Sequence, residues 1–380
     1  VISPNSPLRV AFRTDAAIEI GTGHVMRCLT LAAALRDRGA DCVFICRQHD
    51  GHLLDFIAKQ GYEVFTLPRA SEVGPANQFK QAATEPPHAY WLGTSWEADA
   101  TASQRALEAF ACGGHIDWLV VDHYALDARW EKALRPSVRR LMVIDDLADR
   151  PHECDLLLDQ SLGRQPEDYA GLVPLSTTLL LGPRYALLRP EFAELRAESL
   201  ARRAQPKLRR LLVTMGGIDK DNTTERVLNA LDTSALPSDV RITVVMGPQA
   251  PWIAKIRSRA ERMRHTSEVR VGVSDMARVM TESDLAIGAG GTTTWERCAL
   301  GLPSVTLVLA KNQEAVAEML HEVGAGLACY ETDSVGIALR DGLYRANMTS
   351  ALAEMSRAAA NVTDGKGATR VLRQLVSMDA

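Results

Sequence analysis

The chain has 380 residues, more than one hydrophobic core usually holds, so two domains are expected. Hydrophobic residues make up 46%, charged residues 24%, and the formal net charge is −4. This balance suits a globular protein and gives no electrostatic case for nucleic acid, and no apolar run reaches the length of a membrane span. Residues 1–8 lack the basic and apolar regions of a signal peptide, and the seven cysteines are scattered and odd in number, so a cytoplasmic enzyme with reduced thiols is the expected placement.

Leu8–Phe12 reads as a short strand. The run Gly21-Thr22-Gly23-His24-Val25-Met26-Arg27 follows and opens a helix over His24–Arg38, stopped by Gly39. Val25, Leu29, Ala32 and Leu35 fall on one face of it. Its glycines allow a sharp turn and close approach to a ligand, and a helix start offers unpaired N–H groups to an anion. A histidine at that position titrates in the range suited to proton transfer near neutral pH. Cys42–Cys46 is the next strand; with His49 and His52 it raises the question of zinc, but the spacing misses the paired-ligand pattern and buried strand cysteines act as small hydrophobes. Leu53–Gln60 reads as a helix and Glu63–Leu67 as a strand. Residues 68–115 are punctuated by Pro68, Gly74, Pro75, Pro86 and Pro87 and read as a looped elaboration near the site, with a helix over Thr101–Phe110. Trp118–Asp122, Leu141–Asp145, Leu156–Asp159 and Thr178–Leu181 are apolar runs, the first three ending in aspartate, as in strands buried on both faces of a parallel sheet.

A charged helix, Pro190–Arg203, leads into a second series. Leu208–Thr214 reads as a strand before Met215-Gly216-Gly217, Ile242–Met246 as a strand before Gly247-Pro248, and Leu285–Ile287 as a strand running into Gly288-Ala289-Gly290-Gly291-Thr292-Thr293-Thr294. The helix Trp295–Leu300, the strand Ser304–Leu309 and the helix Gln313–Val323 follow, and residues 334–378 read as helical throughout. The expected architecture is α/β, with two doubly wound Rossmann-like domains facing a cleft: residues 1–190, a linker helix over 191–205, and residues 206–380 with a helical tail. In such sheets ligands bind at the carboxyl ends of strands, where His24, Asp122, Asp145, Gly216 and Gly290 all fall.

His24 is the candidate base. Asp15 has three roles open to it: orienting His24, binding sugar hydroxyls, or closing an Asx turn. Gly21 and Gly23 shape the anion seat, and Arg27 pairs with phosphate or with a neighbouring carboxylate. Asp122-His123-Tyr124 crowd three polar groups at a strand end and are candidate substrate ligands; Asp145-Asp146 are similar, with one of the two free to cap the next segment. In the second half Gly291, Thr292 and Thr293 can wrap a pyrophosphate, Gly216 and Gly217 repeat the theme, and Glu296 can accept from ribose hydroxyls or complement the helix dipole. Asn312 and Gln313 can contact phosphate or sugar, or cap. Neither turn has a P-loop pattern, and Gly21-x-Gly23 lacks the third glycine of a dinucleotide fingerprint.

Together, Gly288–Glu296, Ala299-Leu300-Gly301-Leu302-Pro303 and Asn312-Gln313 resemble the nucleotide half of the MurG-like glycosyltransferase-B (GT-B) fold. Phe12–Asp15, Ile20–Arg27, Val121–Tyr124, Asp145-Asp146 and Gly182–Arg189 are similar to the PseG family, UDP-2,4-diacetamido-2,4,6-trideoxy-β-L-altropyranose hydrolases of pseudaminic acid biosynthesis. The likeness runs from about Arg9 to about Gly326. It implies cleavage at sugar C1 with inversion, releasing UDP, with a UDP-sugar as partner and without metal or cofactor. It also implies His24 as the water-activating residue, Glu296 as the ribose ligand, and Asn312 and Gln313 near the diphosphate. UDP leaves readily, so one base suffices where an ordinary glycosidase needs two carboxyls. A glycosyltransferase of the same fold and a non-catalytic sugar-nucleotide binder are the competing readings.

Overall fold

The computed structural model describes residues 7–69, 85–344 and 347–379, so residues 70–84 of the looped elaboration lie outside it. The chain divides into two compact units: one runs to Leu187 and resumes at Ala368, the other spans Leu188–Gly367.

The first unit is built on seven strands, β1 (Arg9–Thr14), β2 (Asp41–Arg47), β3 (Glu63–Leu67), β4 (Ile116–Asp122), β5 (Val138–Ile144), β6 (Leu156–Asp159) and β7 (Thr178–Leu181). They form one parallel sheet in the order β3-β2-β1-β4-β5-β6-β7. Alternate residues point to opposite faces. Val10, Phe12 and Val120 enter a core with the helix Gly23–Arg36, while Ala11, Leu119 and Val121 enter another with the helix Trp96–Ala111 and Trp130. Cover on both faces explains the unbroken apolar runs: every residue of β4 is buried. Cys42 and Cys46 are buried in β2 as part of the first of these cores. Strand order reverses between β1 and β4, where Thr14 pairs with Asp122.

The second unit repeats the plan with β8 (Arg210–Thr214), β9 (Arg241–Met246), β10 (Ser267–Val271), β11 (Leu285–Ala289), β12 (Ser304–Leu307) and β13 (Leu327–Cys329), in the order β10-β9-β8-β11-β12-β13. All pairings are parallel, and the order reverses between β8 and β11, where Thr214 pairs with Gly288.

Several boundaries differ from the sequence expectation; the helix expected over Thr101–Phe110 spans Trp96–Ala111. Helices Pro190–Glu194 and Arg196–Arg202 stand where one linker helix was expected, and they belong to the second unit: Phe192 is fully buried and Ser199 Oγ donates to the Leu300 carbonyl at 2.7 Å. The tail is broken into helices, among them Val335–Leu339, Met348–Val362 and Gly367–Asp379. The last of these returns to the first unit, because Val371, Leu372 and Leu375 bury in the same core as Phe12 and Leu35. No helix among the described residues is long and apolar enough to cross a membrane.

Candidate active site

The loop after β1 folds back on itself. Gly21, at φ +80°, donates its N–H to the Ala17 carbonyl at 2.8 Å, a left-handed turn that favours glycine. The helix Gly23–Arg36 starts two residues later, and His24 and Arg27, three apart on one face, both reach the end of β4. Asp122 Oδ1 lies 2.6 Å from His24 Nδ1, and Arg27 donates from Nε to Oδ2 at 2.6 Å and from Nη2 to Oδ1 at 2.7 Å. Burial pushes the Asp122 carboxyl up, but Arg27 and His24 outweigh it and hold it well below the usual carboxylate range. An ionised Asp122 fixes the His24 proton on Nδ1 and leaves Nε2 as the basic nitrogen. Nε2 has no hydrogen-bond partner among the described residues, and His24 keeps 8% of its surface exposed.

The remaining neighbours are aromatic and acidic. Arg27 also pairs with Asp146, whose Oδ2 accepts from the Tyr124 hydroxyl at 2.9 Å. The Tyr124 ring meets His24 edge to face at 4.6 Å, and Trp91, from within the looped stretch 68–115, stacks on Tyr124 at 5.7 Å. Of the roles open to Arg27, pairing with a carboxylate is the one the geometry supplies.

Asp15 and His123 make no hydrogen bond to His24. Asp15 is fully buried; it pairs with Arg13 at 2.7 Å, accepts from the Arg47 N–H at 2.6 Å and lies 3.2 Å from His123 Nε2. His123 Nδ1 in turn accepts from the Ala125 N–H at 3.1 Å, while Nε2 faces the Asp15 carboxylate. The same cluster holds Asp99, which bonds Arg13, Arg47 and Trp130 and ties the helix Trp96–Ala111 to the sheet. Asp99 carried no signal in the sequence, because the helix was expected only from Thr101 and a lone carboxylate in the looped stretch before it reads as solvated. Asp145 is likewise internal, bonded to Arg150 at 2.8 Å and to the Tyr169 hydroxyl at 3.0 Å.

In the second unit the nucleotide candidates gather at the carboxyl ends of β8, β11 and β12. Gly216 and Gly217 follow β8, and Gly291, Thr292 and Thr293 lie between β11 and the helix Thr293–Ala299, with Gly291 exposed and both threonines half-buried. Glu296 is half-buried, and its carboxylate has no hydrogen-bond partner among the described residues. Burial pushes its carboxyl up to about 7 against the pull of Arg189 and Arg297. Gln313 packs beside Gly290, and its side-chain oxygen accepts from the Leu309 N–H at 3.0 Å. Asn312 lies in the turn Lys311–Gln313, and its side chain falls outside the described residues.

Residues 210–371 match the glycosyltransferase family 28 C-terminal domain. Over 319 residues the chain is 25% identical to the UDP-2,4-diacetamido-2,4,6-trideoxy-β-L-altropyranose hydrolase of Campylobacter jejuni, covering 83% of this chain and 97% of that protein. It is 32% identical to the spore coat polysaccharide biosynthesis protein SpsG of Bacillus subtilis over 119 residues, 31% of this chain and 35% of that one. Among solved structures, MurG of Acinetobacter baumannii superposes with a TM-score of 0.67 at 16% identity, covering 98% of this chain and 100% of that one. The chain is PseG-like, and its two parallel-sheet α/β domains have the GT-B fold.

Proposed function

We propose that the chain hydrolyses a UDP-linked 2,4-diacetamido-2,4,6-trideoxy sugar of the altrose type at C1, in pseudaminic acid biosynthesis. The observation that carries the reading is the ordered pair His24–Asp122, which leaves Nε2 free to take a proton. In the proposed step a water loses its proton to Nε2 as its oxygen bonds to C1, the bond from C1 to the β-phosphate oxygen breaks, and UDP departs with the electron pair. Attack opposite the leaving group inverts the anomeric centre. Asp122 stabilises the imidazolium that forms, as a buried carboxylate does in hydrolytic triads. The second unit holds UDP: backbone N–H groups of Gly216, Gly217, Gly291 and Thr292 meet the diphosphate, and Glu296 takes the ribose hydroxyls. The 25% identity to the Campylobacter hydrolase along almost its whole length supports water as the acceptor.

The test is incubation of the full chain with the UDP-diacetamido sugar and no acceptor, with UDP and the anomeric product followed by NMR. Turnover in water alone is the expected result. UDP release that requires an added sugar or lipid acceptor would make the chain a glycosyltransferase of the same fold instead. His24→Asn should lower turnover at least about a hundredfold, the scale of a lost general base, with UDP affinity within about twofold.

A further inference from the structure

Gly288, next to last in β11, is in register with Thr214 of β8, at the point where the strand order of the second sheet reverses. The guanidinium of Arg297, from the helix Thr293–Ala299, lies directly against it. A Cβ placed on Gly288 would stand 2.2 Å from Arg297 Nη1 and 2.9 Å from the Thr214 carbonyl oxygen, so glycine is what makes room for the arginine.

Arg297 is fully buried, and only part of its donor set is used. Nη2 donates to the Ala289 carbonyl at 3.1 Å and to Thr294 Oγ1 at 3.0 Å, while Nε and Nη1 have no partner among the described residues. Burial pulls its value down to about 10, which leaves it cationic at neutral pH. A buried cation without a counter-charge costs several kcal/mol. Other buried arginines avoid that cost. Arg13, Arg27 and Arg150 pair with aspartates, and Arg203 spends its terminal nitrogens on the carbonyls of Ser199, Met280 and Ser283. Arg297 forms no ion pair among the described residues, yet it stands beneath the glycine turn and beside the end of β8, where ligands of doubly wound sheets bind.

We infer that Arg297 is the counter-charge for the diphosphate of a bound UDP, a positioning residue that acts from beneath the turn Gly288–Thr294 without touching the phosphates. This rests on the UDP-sugar reading above. Its bonds to Ala289 and Thr294 hold the two ends of the turn, and its charge acts across a dry interior where fields are weakly screened.

Calorimetry on the full chain with UDP and with uridine separates this from a structural role, because only UDP carries the diphosphate. Arg297→Gln should weaken UDP about tenfold or more, with uridine changed less than about twofold, and Arg297→Lys should restore most of the UDP preference. Equal losses for both ligands, or no loss for either, would overturn the inference. If the glutamine variant lacks a cooperative melt, Gly288→Ala is read by the same ratio, since its methyl must displace Nη1; an unchanged preference there has the same meaning. Wild-type protein that binds neither UDP nor the UDP-sugar would instead remove the functional reading itself.

Discussion

The environment of Asp122 decides what the site can do. A carboxylate that accepts one bond from His24 and two from Arg27 is locked in place, so the imidazole it holds has one tautomer and one orientation. Asp122→Asn preserves the shape but loses the charge; kcat should fall about 10²- to 10⁴-fold while UDP affinity stays within about twofold. A variant with near-normal kcat would show that His24 needs no partner. Glu296 makes a second prediction. Its value near 7 means that acidification protonates it, and a protonated carboxyl is a poorer acceptor for ribose hydroxyls. Uridine affinity should therefore fall as pH drops from 8 to 6, by up to about tenfold per unit below the midpoint, and Glu296→Gln should be flat across that window. Uridine avoids the phosphate titration that UDP would add. His24 was legible because glycines, a helix start and a histidine coincide in seven consecutive residues. Its dependence on Asp122 was not, because the two lie 98 positions apart and meet only through a strand order that no local pattern encodes. Asp15 shows the converse: its loop position suggested the site, and its burial among Arg13, His123 and the Arg47 N–H gives it to the scaffold.

Most elements were legible for one reason: parallel strands covered on both faces must be apolar at nearly every position, and such runs are easy to see. The exceptions are edges. β10 is Ser-Glu-Val-Arg-Val with alternate residues exposed, and β13 has three residues, too few for a period to register. The helix Gly367–Asp379 was legible as a helix but not as part of the first unit, since an amphipathic face does not name the surface that receives it. Leu375 is fully buried there, in the core shared with Leu35 and Phe12. Leu375→Ala should destabilise the first unit by about 2–5 kcal/mol, read by hydrogen exchange in β1 and β4, with UDP affinity unchanged. Loss of protection confined to residues 206–366 would contradict the placement of the helix.

On the scale of the molecule, the proposed reading divides two jobs between the units: His24 and Asp122 lie in one, and the glycine turns proposed to hold the nucleotide in the other. Saturating UDP should slow amide exchange in the turns after β8 and β11 and around Glu296. A ligand at about a hundred times its dissociation constant adds about 2.7 kcal/mol to whatever unfolding exposes the site. Slowing concentrated at residues 15–27 instead would mean that the nucleotide sits on the first unit. The route of the chain also has a consequence for biosynthesis. The first sheet is made before the second, yet its core includes Val371 and Leu375, which are translated only after the entire Leu188–Gly367 segment. The body made second is thus ready to close first, and the first unit stays partly uncovered until the helix Gly367–Asp379 has been made. A chaperone that shields growing chains would find its longest-lived client surface around Leu8 and Leu35, which line one cavity with Leu372 and Val376 of that helix.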